Sequence, residues 1–160
     1  MKLLIVCLLI GAGVCAAEDL KVTIASKDVP ALVLTVPQTA KVTTAHGMTE
    51  IHTPNMILCV WPIPAVKSVD EGITQLPDVI KREVLKFVAA TTNVITVAGA
   101  PAKHLIGRGI EADDNDPATA DIVIFTTGKA VFAACVHGEG NQAGEEREPM
   151  LAVLKTAKAP

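Results

Sequence analysis

His46, Met48 and His52 stand close together in Ala45-His46-Gly47-Met48-Thr49-Glu50-Ile51-His52. Imidazole and thioether donors grouped like this suit copper, with Met56 as a further thioether. If Met48 to His52 is extended, Met48 and His52 share one face. The competing reading is a polar hairpin whose methionine packs inward. A second group is Glu111-Ala112-Asp113-Asp114-Asn115-Asp116. Asp113, Asp114 and Asp116 could offer carboxylate oxygens to calcium, but the glycine and distal glutamate of an EF-hand are absent. A solvated acidic loop tip explains the same residues.

The thiols form a third group. Cys135 and His137 are two apart, so on a strand they point the same way, and an imidazole beside a thiol is the arrangement of a cysteine nucleophile. The favoured reading is a buried thiol beside a surface imidazole. Cys59 and Cys135 both lie in apolar, strand-like runs. An oxidising compartment permits a disulfide between them, and two buried thiols acting as small hydrophobes are the alternative. Serine chemistry has little material, since Ser26 and Ser68 are the only serines and no G-x-S-x-G, phosphate-binding loop, G-x-G-x-x-G or H-E-x-x-H motif occurs. His104 follows Lys103 in an apolar segment and suggests no role of its own.

These residues need elements to hold them. Ser68 and Glu71 make an S-x-x-E capping box, and Ile73, Leu76, Ile80, Val84 and Phe87 recur at helical spacing. The pattern predicts a central helix over about 68–88, bent or restarted at Pro77. Short strands are predicted before it over 20–25, 31–36, 41–45 and 48–52, with a turn at His46-Gly47. Met56 to Trp61 is continuously apolar and reads as a central strand. Strands over 93–98, 102–110, 121–127 and 130–137 follow, and Gly107 and Gly109 suggest a bulge or close packing. A second amphipathic helix is predicted over about 145–157, with residues 158–160 fraying.

Met1 to Ala17 has Lys2, an apolar run from Leu3 to Val14, and small residues at Ala16 and Ala17. That is the pattern of a secretory signal peptide cleaved after Ala17, and the run is short for a bilayer span. Cys15 offers a lipid anchor as an alternative, although Val14 stands where a lipobox wants a small residue. Removing residues 1–17 leaves ~143, enough for one domain with a core. The net charge then moves from −3 to −4 with the loss of Lys2. With three arginines, one tryptophan and no tyrosine, the chain lacks both the basic footprint and the aromatic platforms of a nucleic-acid binder.

Three segments resemble the family that includes the PsbP extrinsic subunit of photosystem II, a Ran-binding nuclear-import factor and small exported bacterial proteins of the DcrB type. They are Leu32-Val33-Leu34-Thr35-Val36-Pro37, a strand closed by proline; Val97-Ala98-Gly99-Ala100-Pro101-Ala102, similar to the family's G-x-P-A turn; and Ala130 to Cys135 followed by Met150-Leu151-Ala152-Val153-Leu154-Lys155. Gln38-Thr39-Ala40 stand where the family usually carries an aromatic residue. The resemblance spans about 31–158. It implies an antiparallel sheet between helices and no shared catalytic centre.

The reading is therefore an α+β protein: an antiparallel sheet of about 6–8 strands packed between a central and a C-terminal helix. It is expected to be an exported, periplasmic or secreted, non-enzymatic binding or assembly module with no transmembrane segment after cleavage and no nucleic-acid partner. A metal-binding protein using the His/Met hairpin is the second reading, and a small hydrolase or thiol enzyme the third. Copper and calcium are the only cofactors the residues suggest.

Overall fold

The computed structural model describes residues 19–27 and 29–160. The predicted signal-peptide segment and Cys15 lie outside them. Five strands come first: β1 (Leu20–Ser26), β2 (Val29–Val36), β3 (Lys41–Ala45), β4 (Met48–Thr53) and β5 (Met56–Pro62). Two short helices follow, α1 (Val69–Thr74) and α2 (Leu76–Ile80). Then come β6 (Val84–Val97), β7 (Ala100–Glu111), β8 (Pro117–Thr127), β9 (Ala130–Gly138) and α3 (Gln142–Leu154). Seven strands form one antiparallel sheet in the order β3-β4-β5-β9-β8-β7-β6, and β1 and β2 form a separate hairpin.

The β3–β4 and β6–β7 connections are two-residue turns with both residues at positive φ: His46 at 53° with Gly47 at 79°, and Ala98 at 52° with Gly99 at 76°. This geometry matches the right-handed twist of the flanking strands. The second turn sits within the G-x-P-A segment.

Strand alternation sorts the apolar residues onto two faces. One face packs Leu58, Val60, Phe125, Phe132 and Val136 against the β1–β2 hairpin and α3. Phe125 and Phe132 stack there with ring centroids 5.7 Å apart. The other face packs Ile122, Ile124, Val131, Ala133 and Cys135 against Leu76 and Ile80 of α2. The sheet is thus the middle layer, as predicted.

The central helix is the main correction. Ser68 does cap α1, with its Oγ accepting from the Glu71 amide at 3.1 Å while Glu71 accepts from the Lys67 amide at 2.8 Å. Gln75 breaks the helix, and α2 restarts with Pro77 in its first turn. Helical structure then stops at Ile80, and residues 84–88 belong to β6. The misleading signal was the three-residue spacing of Val84 and Phe87. Both contact the α2-side core. A bulge between Leu85 and Val88, with Lys86 at φ 51°, inserts a residue and re-phases the strand. Two residues three apart then share a face without a helix. Gly107 and Gly109 of β7 permit the close crossing, because a Cβ at either would strike Val84, Phe87 or the β6 backbone.

α3 begins three residues before the predicted start, and Pro149 lies inside it. Two buried carboxylates dock it. Glu146 accepts from the Ile57 amide at 3.1 Å and from Gln142 at 3.0 Å. Asp121, 1% exposed, takes a hydrogen bond from Arg147 Nε and lies 3.3 Å from His104 Nε2. His104, to which the sequence assigned no role, is thus part of the pin. The tail does not fray at Lys158, which exchanges backbone hydrogen bonds with Val33 at 2.9 and 3.0 Å. No helix among the described residues is long and apolar enough to cross a membrane.

Candidate functional site

Cys59 on β5 and His137 on β9 project from the α2-covered face of neighbouring strands. The turn after α2 carries Glu83 over them. The ligand-capable atoms of Cys59, Glu83 and His137 all lie within 4.8 Å of one another. His137 is held from both sides, with Nε2 3.1 Å from Glu83 Oε2 and Nδ1 3.4 Å from Glu111 Oε1. Glu111 reaches in from the end of β7. Cys59 and Glu83 are buried and His137 is half-buried.

The electrostatics follow from this packing. Burial pushes the Cys59 thiol well up, and the neighbouring Glu83, Glu50 and Glu146 carboxylates push the same way. Complete burial does the same to Cys135, with Cys59 and the carboxylates adding to it. Burial alone would raise Glu83, but the hydrogen bond and charge of His137 outweigh it and hold Glu83 below its ordinary value. Burial alone would lower His137, but Glu83 and Glu111 together raise it. The cluster thus sets a protonated thiol beside an imidazole and a carboxylate that each favour the other's charged form. A cysteine nucleophile needs the opposite, a thiolate in an electropositive and accessible setting.

An open cleft of about 480 Å³ leads to Glu83 and is lined by Ala45, His46, Met48, Glu50, Arg82 and Asp113. Arg82 closes one side by donating to the His46 carbonyl at 2.7 Å. Residues from two separate sequence motifs therefore meet at this mouth. His46 sits in the β3–β4 turn and Met48 starts β4. His52 lies apart from the cleft lining, with Nε2 3.0 Å from Glu50 Oε2. Asp113 faces the cleft, whereas Asp114 accepts from the Asp116 amide at 3.0 Å within its own turn. Cys59 and Cys135 are directly opposed in the β5–β9 ladder and are free thiols. Cys135 and His137 do share a face, as two-residue spacing requires.

Glu83 escaped notice in the sequence, because it fell inside a predicted helix that is not there. Glu111 was noticed only as the first residue of an acidic loop. A weak signal existed: both stand at the border of an apolar strand, Glu83 just before Val84 and Glu111 just after Ile110.

The second feature is the sheet edge formed by β6. Val88 to Val94 are all exposed, on both strand faces, with Val88 71% and Val94 67% exposed. Phe87 to Val97 carries no charge. From Thr91 to Val97 the ladder to β7 runs without a register shift. Its outer side meets no strand among the described residues. The opposite edge, β3, is five residues long and starts with Lys41.

No family model matches the chain, and no curated protein sequence does. Solved structures do match. Cyanobacterial PsbP (CyanoP) from Synechocystis sp. PCC 6803 superposes with a TM-score of 0.57 at 10% identity, covering 92% of this chain and 96% of that one. PA94 of Pseudomonas aeruginosa, a protein of unknown function, gives 0.50 at 8% identity, covering 85% and 94%. LpqN of Mycobacterium tuberculosis, involved in cell envelope biogenesis, gives 0.49 at 14%, covering 89% and 91%. The chain has a PsbP-like fold, and at these identities the likeness is one of fold.

Proposed function

We propose that this chain is an exported, non-enzymatic binding module that captures an extended polypeptide segment along β6. The observation that carries this reading is the run Val88–Val94: uncharged, exposed on both faces, and open along its hydrogen-bonding side. Exposed edges are ordinarily shortened, charged or covered. Here β3 follows that rule and the regular part of β6 does not. An added strand gains affinity from main-chain hydrogen bonds and specificity from alternate side chains. The long β6–β7 ladder keeps the edge rigid, which limits the ordering entropy of binding. Protonated, buried thiols and the scarcity of serine support a binding role over nucleophilic catalysis.

Export rests on the residue 1–17 pattern. N-terminal sequencing of the protein from expressing cells should begin at Glu18. For the binding role, a displayed library of extended peptides is selected on the purified chain. Selected peptides should shift β6 amide resonances, and Thr92→Lys with Val94→Lys should abolish their binding while the fold survives. Peptides that bind this double variant equally well would remove the proposal. Self-association through β6, lost in the same variant, would replace the peptide by a second copy.

A further inference from the structure

We propose that Cys59 Sγ, a Glu83 carboxylate oxygen and His137 Nε2 form a three-ligand site for a zinc ion, with Glu111 fixing the imidazole from behind. This goes beyond strand capture and does not depend on it, since the cluster lies on the covered face of the sheet and not on the β6 edge.

Thiolate, imidazole and carboxylate are zinc's usual protein donors, and three of them leave a fourth position for water. Zinc–ligand bonds of about 2.0–2.3 Å at tetrahedral angles place donor atoms roughly 3.3–3.8 Å apart. The three donor atoms here lie within 4.8 Å, with Nε2 and Oε2 at 3.1 Å, so small side-chain movements suffice. The donors come from β5, β9 and the α2–β6 turn, two of them on adjacent strands of a packed sheet. That arrangement is built before any ion arrives.

Glu111 is the independent observation. A metal-bound histidine usually gives its remaining N–H to a carboxylate, which sets the tautomer and the ring plane. Glu111 Oε1 stands 3.4 Å from Nδ1, on the far side of the ring from Glu83. A plain ion pair needs one carboxylate; this imidazole has one on each nitrogen. The cleft that reaches Glu83 supplies a way in past Met48, Glu50 and Asp113.

The binding step balances. Zinc takes the thiolate sulfur and the unprotonated Nε2. The Cys59 S–H proton leaves to solvent, and so does the Nε2 proton when the imidazole is charged. Glu83 enters as the carboxylate it already is, and the Nδ1 proton stays, facing Glu111. Cys135 remains a protonated thiol behind the site.

The test uses the purified full-length mature chain, reduced and metal-free, titrated with zinc alone and, in parallel, with cobalt(II) alone as a spectroscopic substitute. Cobalt should give a tetrahedral absorption spectrum with a thiolate-to-metal charge-transfer band. Cys59→Ser should remove that band, and Cys135→Ser should keep it. His137→Ala should weaken zinc binding by more than about 100-fold, and Glu111→Gln by about 10–100-fold. Glu111 is at the rim, so its variant serves even where a ligand variant fails to fold. Absence of the charge-transfer band in the reduced wild-type chain overturns the site. So does a band that survives in Cys59→Ser, or zinc affinity lost in His52→Ala and retained in Glu111→Gln.

Discussion

Cys59 and Cys135 face each other across the β5–β9 ladder, both as free thiols beneath the α2 side of the sheet. Cys59 is 4% exposed and Cys135 fully covered, and burial holds both protonated. Alkylation needs an accessible thiolate. Iodoacetamide should therefore label neither residue in the native chain over a time that fully labels a small free thiol. Mass spectrometry should find both modified once urea opens the fold. Rapid native labelling of Cys135 would restore the cysteine-nucleophile reading.

Asp121 pins α3 to the sheet through Arg147 and His104. Burial pushes its pKa up, but hydrogen bonds from His104 and Arg147 and the Arg147 charge pull it below its ordinary 3.8. A depressed carboxyl contributes stability that is present above its unfolded pKa and lost as pH falls through the folded one. The chain should weaken on acidification below about pH 4, and Asp121→Asn should flatten that part of the profile. At neutral pH Asp121→Ala should cost about 3 kcal/mol by urea denaturation, because it strands the buried His104 and releases Arg147.

In the metal-free chain the Glu83–His137 pair has a window with two sides. Glu83 is lowered from 4.5, so its contribution fades as pH falls through the folded value. His137 is raised from 6.5, so its contribution is complete below 6.5 and fades as pH rises through the folded value. The groups facing the pair are Cys59, Glu111 and Arg82. Thermal stability attributable to the pair should peak between about pH 4.5 and 6.5. Comparing wild type with Glu83→Gln from about pH 3 to pH 9, on both sides of that window, isolates it. A difference that does not vary with pH would show that the pair is not formed in solution.

Gly107 should tolerate no side chain. An added Cβ would meet the Val88 carbonyl and the Phe87 ring. Backbone cannot yield as a side-chain tip can, so Gly107→Ala should destabilise by about 2 kcal/mol. It should also disturb the bulge, visible as shifted amide resonances from Leu85 to Ala89. Gly99 meets a different penalty. A Cβ there would find nothing within 4 Å, and at φ 76° the position needs glycine for its backbone angle alone.

Much of the architecture was readable from residue order. The turn at His46-Gly47, the proline break near Pro77, the Ser68–Glu71 cap and the apolar run of β5 each followed from local chemistry. Residues 84–88 did not, because a bulged strand and a helix both place positions three apart on one side. The site was half visible. His137 and Cys59 stood out by type, and Glu83 and Glu111 did not, because their meaning comes from strands and a turn that converge only in three dimensions. The His46–Met48–His52 group was legible as a local cluster, but the β4 side chains lead His52 to Glu50 and leave the other two at the mouth of the cleft.

The backbone bonds between Val33 and Lys158, with Thr156 Oγ1 accepting from the Thr35 amide at 2.8 Å, sew the last turn of the fold to one of its first strands. The amino-terminal hairpin therefore cannot seat fully until the final residues arrive. For a polypeptide that folds as it emerges from its amino-terminal side, closure of the hairpin would wait for residues 156–158. Until then the aromatic layer beneath the hairpin would stay only partly roofed, and holding chaperones would have their longest opportunity there.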